Sequence, residues 1–168
     1  MANTYQLIEA KTLSSATASI TFSSIPQTYT DLLLLSSVRT SRATVAESIL
    51  LSFNGSTSSF SSKLLVGQGG SGTDNGTVAR FIGVACGDTT TANTFGNFAT
   101  YIPNYTSANY KTYSSDSVNE DNASLAFVGL TAGLWSNTAA ITSIGLSTEF
   151  ANNLLTNSTF YLYGIKNS

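Results

Sequence analysis

Helical periodicity is almost absent from this chain. Its apolar residues fall instead in short runs of Val, Ile, Thr, Tyr and Phe that break at clusters of Ser, Gly and Asn. Strands are predicted at about 4–10, 18–23, 31–39, 48–53, 62–66, 78–85, 95–102, 108–114, 124–130, 139–147 and 158–166. In Ala18-Ser19-Ile20-Thr21-Phe22 the apolar residues alternate with Ser and Thr, so one face meets a core and the other meets water. Ile49, Leu51 and Phe53 repeat the device and end at Asn54-Gly55, a hairpin turn signal because both residues tolerate positive φ. Leu32 to Leu35 is continuous, which suits a central strand covered on both sides, by a second sheet and a loop or by a neighbouring subunit. Ile25-Pro26 and Ile102-Pro103 mark strand ends, since proline removes a ladder donor.

At 168 residues the chain is expected to form a single antiparallel β-sandwich, jelly-roll-like and all-β. Residues 1–13 read as an extended N-terminal segment, and the Gly-rich stretch 67–76, with five glycines in ten residues, reads as a flexible loop.

Composition then removes most chemistry. The chain has no His, which excludes His-based triads, His general bases and His metal ligands. Seven basic residues cannot build a face for nucleic acid, and no apolar stretch is long enough to span a bilayer as a helix. The 26 Ser, 24 Thr and 14 Asn imply a neutral polar surface. No basic region followed by an apolar stretch opens the chain, so no secretory signal is expected. Cys86 lies in the apolar run Phe81-Ile82-Gly83-Val84-Ala85-Cys86 and reads as a small core residue.

The motifs that remain are weak. Gly67-Gln68-Gly69-Gly70-Ser71-Gly72 lacks the Lys and Ser or Thr that a phosphate loop needs, and no Lys follows a Ser at the spacing of a Ser-Lys hydrolase. Asp116, Glu120 and Asp121 gather in one stretch, as a solvated loop-capping cluster or a divalent-cation site. Of the remaining carboxylates, nothing pairs Glu9, Asp31, Glu47 or Glu149 for glycosidase chemistry. No catalytic residue and no cofactor is assigned. Tyr101, Tyr105, Tyr110 and Tyr113 crowd thirteen residues, and Trp135 stands in Gly133-Leu134-Trp135-Ser136-Asn137; each suits sheet-edge packing, a protein interface or sugar stacking.

The chain resembles small virion structural proteins of tailed bacteriophages, of the kind known from aquatic phages. The residues that carry this are Ile20-Thr21-Phe22-Ser23-Ser24-Ile25-Pro26 with Tyr29-Thr30-Asp31-Leu32, Ala92-Asn93-Thr94-Phe95-Gly96-Asn97, Tyr101 to Lys111, Leu130 to Thr138, and Ser158 to Ser168. The resemblance implies a non-enzymatic component of the virion, assembled in the host bacterial cytoplasm. The first expectation is a capsid decoration or cement protein whose partner is the major capsid protein, acting as a homo-oligomer, a trimer by analogy with capsid axes. A fibre or spike tip that binds the host surface is the alternative, and a non-viral sugar-binding module a further one. Contact is expected through Tyr5 and Leu7, by strand addition from residues 1–13, and through Tyr101, Tyr105, Tyr110, Tyr113 and Trp135.

Overall fold

The computed structural model describes residues 4–69, 71–75, 79–121 and 126–166, the stretch 71–75 as backbone alone. The described residues form β1 (Tyr5–Thr12), β2 (Ser19–Phe22), β3 (Asp31–Val38), β4 (Ala46–Phe53), β5 (Phe60–Gln68), β6 (Ser71–Asn75), β7 (Phe81–Cys86), β8 (Gly96–Ile102), β9 (Lys111–Asn119), β10 (Phe127–Trp135), β11 (Ile144–Thr148) and β12 (Thr159–Ile165), with no helix among them. Two antiparallel sheets result. The larger runs β1-β12-β3-β8-β9-β10-β5-β6 and the smaller β2-β11-β4-β7.

Setting aside β5, β6, β9 and β10 leaves eight strands. Lettered B to I in chain order, they lie as B-I-D-G and C-H-E-F, the two four-stranded sheets of a jelly roll. The four set-aside strands form two hairpins, β5–β6 and β9–β10, that extend one sheet past β8. All eleven expected strands are present, and the fold class is a β-sandwich as expected.

The twelfth strand corrects one expectation. The stretch 67–76 is not a loop over its described residues: Gly67 pairs with Gly72 and Gln68 with Ser71 across β5 and β6. Gly69, at φ 52°, supplies the left-handed backbone such a tight reversal requires. Gly70 and Gly76 lie outside the described residues. Within the N-terminal segment 1–13, Tyr5–Thr12 forms the edge strand β1, which pairs with β12, and Ile8 packs on the core. The β1–β12 ladder carries a bulge between Leu7 and Glu9, and Lys11 pairs with Glu9 at 2.5 Å.

Asn54 and Gly55 take φ of 53° and 72°, as their sequence predicts, but the chain then passes from β4 in one sheet to β5 in the other. The Asn54 side chain fastens the corner: Nδ2 donates to Ala140 O at 2.8 Å, and Oδ1 accepts from Thr142 N at 2.8 Å. Between the sheets lies a continuous core including Phe22, Leu32, Leu34, Ile49, Leu51, Ile82, Ile102, Phe160 and Leu162. Phe53, Phe60, Tyr113 and Trp135 close one end as a ring cluster, with Phe60 stacked on Trp135 at 5.9 Å. Leu64, Val66 and Phe81 form a smaller second cluster under the extension.

Candidate interaction face

The two outer faces of the sandwich differ in kind. On the smaller sheet the outward cross-strand sets are Thr21, Gly145 and Ser52, then Ser19, Ser147 and Leu50, small or polar apart from Leu50, which is buried. That is the expected water face of an antiparallel sheet. On the larger sheet the register places apolar side chains outside. One row runs Leu7, Tyr163, Leu33, Tyr101, Ser114, Ala132, Lys63. The next runs Ala10, Tyr161, Leu35, Ala99, Asp116, Leu130, Leu65. A third brings Val118 beside Val128. Leu65, Val128 and Leu130 are 55–58% exposed, and Leu7, Tyr101, Val118 and Tyr161 are exposed as well.

The reason lies on the inner side of the same strands. β10 reads Phe127-Val128-Gly129-Leu130-Thr131-Ala132-Gly133-Leu134-Trp135, and its buried positions between the end aromatics are Gly129, Thr131 and Gly133. The aliphatic residues therefore point away from the core. Over β9 and β10 the strand β7 approaches so closely that large inward side chains are excluded. A Cβ on Gly83 of β7 would lie 2.9 Å from Ser117 Cβ and 2.4 Å from the Phe98 ring. Small polar residues stitch the sheets instead: Ser115 Oγ donates to Ile82 O at 2.5 Å, and Asn119 Nδ2 to Ala85 O at 3.3 Å. Tyr113 fills the remaining space by lying flat over Gly133, where a Cβ would meet its Cζ at 2.0 Å.

The face is open rather than a cleft. One shallow hollow on it, of about 560 Å³, is lined by Lys63, Leu65, Asp116, Leu130 and Ala132 and is too open to enclose a small ligand. Two halves can be told apart. The β1-β12-β3-β8 half carries Tyr101, Tyr161 and Tyr163 among Leu7, Leu33 and Leu35, while the β9-β10-β5 half is aliphatic with one cation and one anion, Lys63 and Asp116. The continuous run Leu32 to Leu35 belongs here: Leu32 and Leu34 are fully buried, and Leu33 and Leu35 lie half-buried on the outer face.

The residues singled out from sequence divide. Tyr5, Leu7, Tyr101 and Tyr110 are exposed, whereas Tyr105, Tyr113 and Trp135 are buried to within 2% and serve packing, not contact. The Tyr105 hydroxyl donates to Pro26 O. Tyr101 is held in place by its hydroxyl, which donates to Asp31 Oδ2 at 2.8 Å, and this bond, with burial second, raises its pKa. The other oxygen of Asp31 accepts from Asn104 N at 2.8 Å, tying β3 to the end of β8. Glu47, fully buried, accepts from Phe150 N and from Asn152 Nδ2, and Arg42 stacks on the Phe150 ring at 3.8 Å. Cys86 is buried, its thiol donates to Asn119 Oδ1 at 2.8 Å, and burial pushes its pKa up.

The expected acidic cluster does not form. Asp116 stands mid-strand on the outer face, Glu120 is exposed just past β9, and Asp121 is buried. Four residues of extended chain separate Asp116 from Glu120 by about 13 Å. Among the described residues no three potential metal ligands come together. The residues missed from sequence are Leu65, Val118, Val128, Leu130 and Tyr161. Their signal was the inverted alternation of β10, which reads as apolar-inward until the close approach of β7 is known.

Fold and face together define a class: a jelly-roll β-sandwich with an extended sheet whose outer side exposes aliphatic and tyrosine side chains. Compared with protein families, curated proteins and solved structures, the chain matches none.

Proposed function

We propose that this chain is a structural protein of a tailed-bacteriophage virion, a decoration protein that sits on the assembled head and clamps neighbouring capsid subunits. The observation that carries the reading is the inverted outer face. A chain with only 10% charged residues places its aliphatic and tyrosine side chains outward over a broad sheet, where they are stable only when covered. The jelly roll, frequent in viral shells and lectins, and the resemblance of the sequence to phage virion proteins support the viral setting.

The outer tyrosine-bearing strands β1, β12 and β3 form the surface for the capsid. Tyrosine supplies rigid area with a polar tip, which suits a contact formed late, in water, on a finished lattice. The mode is face-on docking through the outward rows of these strands, with β1 as the edge strand of the sheet. No covalent chemistry is involved. Binding that favours only the assembled lattice stabilises it by mass action.

The test is the copy number of the chain in purified particles, by quantitative mass spectrometry against the major capsid protein. A number comparable to the capsid subunit supports decoration. A few copies per particle would move the chain to the tail, as an adhesin, and absence would end the virion reading. Tyr161→Glu or Leu7→Glu is expected to leave the fold intact and abolish incorporation.

A further inference from the structure

We propose that the aliphatic half of the outer face, β9-β10-β5, is where a second copy of this chain docks, in a two-fold, face-to-face contact centred on Leu130. This builds on the reading above, that the outer face exists to be covered, and assigns its two halves to different partners.

The composition of the patch points to a permanent partner. Val118, Val128, Leu130 and Leu65 form an unbroken aliphatic surface across three strands, with no exposed tyrosine among them. Contacts between copies of one chain are the more apolar class, and the centre of such contacts is depleted in charge. The patch is also shaped for close approach, because Val128 leans over Gly67 and leaves no projecting side chain there; a Cβ on Gly67 would meet Val128 Cγ1 at 2.9 Å.

Charge favours a copy over an unlike partner. Asp116 on β9 and Lys63 on β5 flank the central strand on opposite sides, in register with Leu130 and Ala132 respectively. A two-fold axis along β10 lays β9 of one copy over β5 of the other. Each Asp116 then lies over Leu65 of the other copy, one row or about 7 Å along the strand from that copy's Lys63, whose long side chain spans the offset, and the contact is self-complementary. The area is sufficient. The overlap spans five strands, β8 to β6, spaced about 4.8 Å apart, and the nine residues of β9, β10 and β5 extend about 30 Å. The footprint is roughly 700 Å² per copy, close to the roughly 800 Å² per partner of a stable interface. Such an axis leaves β1, β12 and β3 outside the overlap, free for the capsid.

A face-to-face contact is two-fold, so the expected solution species is a dimer rather than the trimer anticipated from capsid symmetry. Sedimentation and light scattering of the full chain are expected to give twice the 17.6 kDa monomer mass across the micromolar range. Leu130→Glu is expected to raise the dissociation constant roughly thirtyfold or more, as loss of a central hot spot does, with an unchanged circular dichroism spectrum and melting temperature. Val128→Lys serves as a second variant at an equally exposed site. Asp116→Lys should weaken the dimer, and adding Lys63→Asp should restore it. A monomeric wild type, or a dimer that ignores all of these changes, overturns the proposal. A monomer whose incorporation into particles is blocked by Leu130→Glu gives this half to the capsid and also overturns it, while leaving the virion function intact. A dimer absent from particles upholds the proposal and removes the virion function.

Discussion

Tyr113 offers a test of how the tyrosine-rich segment divides between core and surface. Its ring is 2% exposed, lies over Gly133 and meets the Phe53 ring edge-on at 6.1 Å. Burial pushes its phenol from the ordinary 10.0 to about 12. A pKa raised in the folded state contributes stability that is fully present below the unfolded value and is lost as pH rises through the folded one. Between pH 10 and about 12 the unfolded chain ionises Tyr113 and the folded chain does not, so the unfolded state gains. Two units at about 1.4 kcal/mol each amount to about 3 kcal/mol lost over that window. The assay is urea unfolding of the wild type and Tyr113→Phe at several pH values from about 9 to about 12. Tyr101, Tyr105 and Cys86, also raised, and Lys111, lowered by burial, act equally in both chains, so the difference in slope belongs to Tyr113. The wild type should lose about 3 kcal/mol more than the variant. Parallel curves would refute the burial of this ring and with it the packing of β9 on β10.

Three further outcomes are expected. Gly133→Ala should cost about 2–3 kcal/mol in urea unfolding, because its Cβ lands 2.0 Å from Tyr113 Cζ; Gly55→Ala, with open space but φ +72°, should cost about 1 kcal/mol. Lys111→Met should destabilise by about 3 kcal/mol and speed hydrogen exchange in residues 103–110, since the buried ammonium donates to Ser107 O and Asn109 O at 2.6 and 2.5 Å. Cys86 should resist a water-soluble thiol reagent in the native state and react at the rate of unfolding, and fast native labelling would contradict its burial and raised pKa.

Strand identity was legible in the sequence because the period of two and the turn residues are local properties. Asn54-Gly55 adopts the positive φ its side chains permit, Pro103 follows the last residue of β8, and Ile20 and Phe22 point inward as their alternation says. Low charge and the absence of His likewise narrowed the chemistry without any coordinates. The Gly-rich stretch 67–76 failed because strand pairing depends on a neighbour: β6 pairs along β5 despite a composition that favours a loop.

Which side of a strand meets the core was not legible wherever spacing between the sheets decides it. In β10 the more apolar residues, Val128, Leu130 and Leu134, sit opposite Gly129, Thr131 and Gly133, and pattern alone turns the larger ones inward. Only the tertiary structure brings β7 within a glycine's reach of β8 and β9, which leaves room for small side chains alone and sends the aliphatic ones outward. Tyr105 and Tyr110 show the same limit on a loop, five residues apart yet one fully buried and one 59% exposed. Residue type and spacing set the elements; the distance between the layers set which surface is offered to a partner.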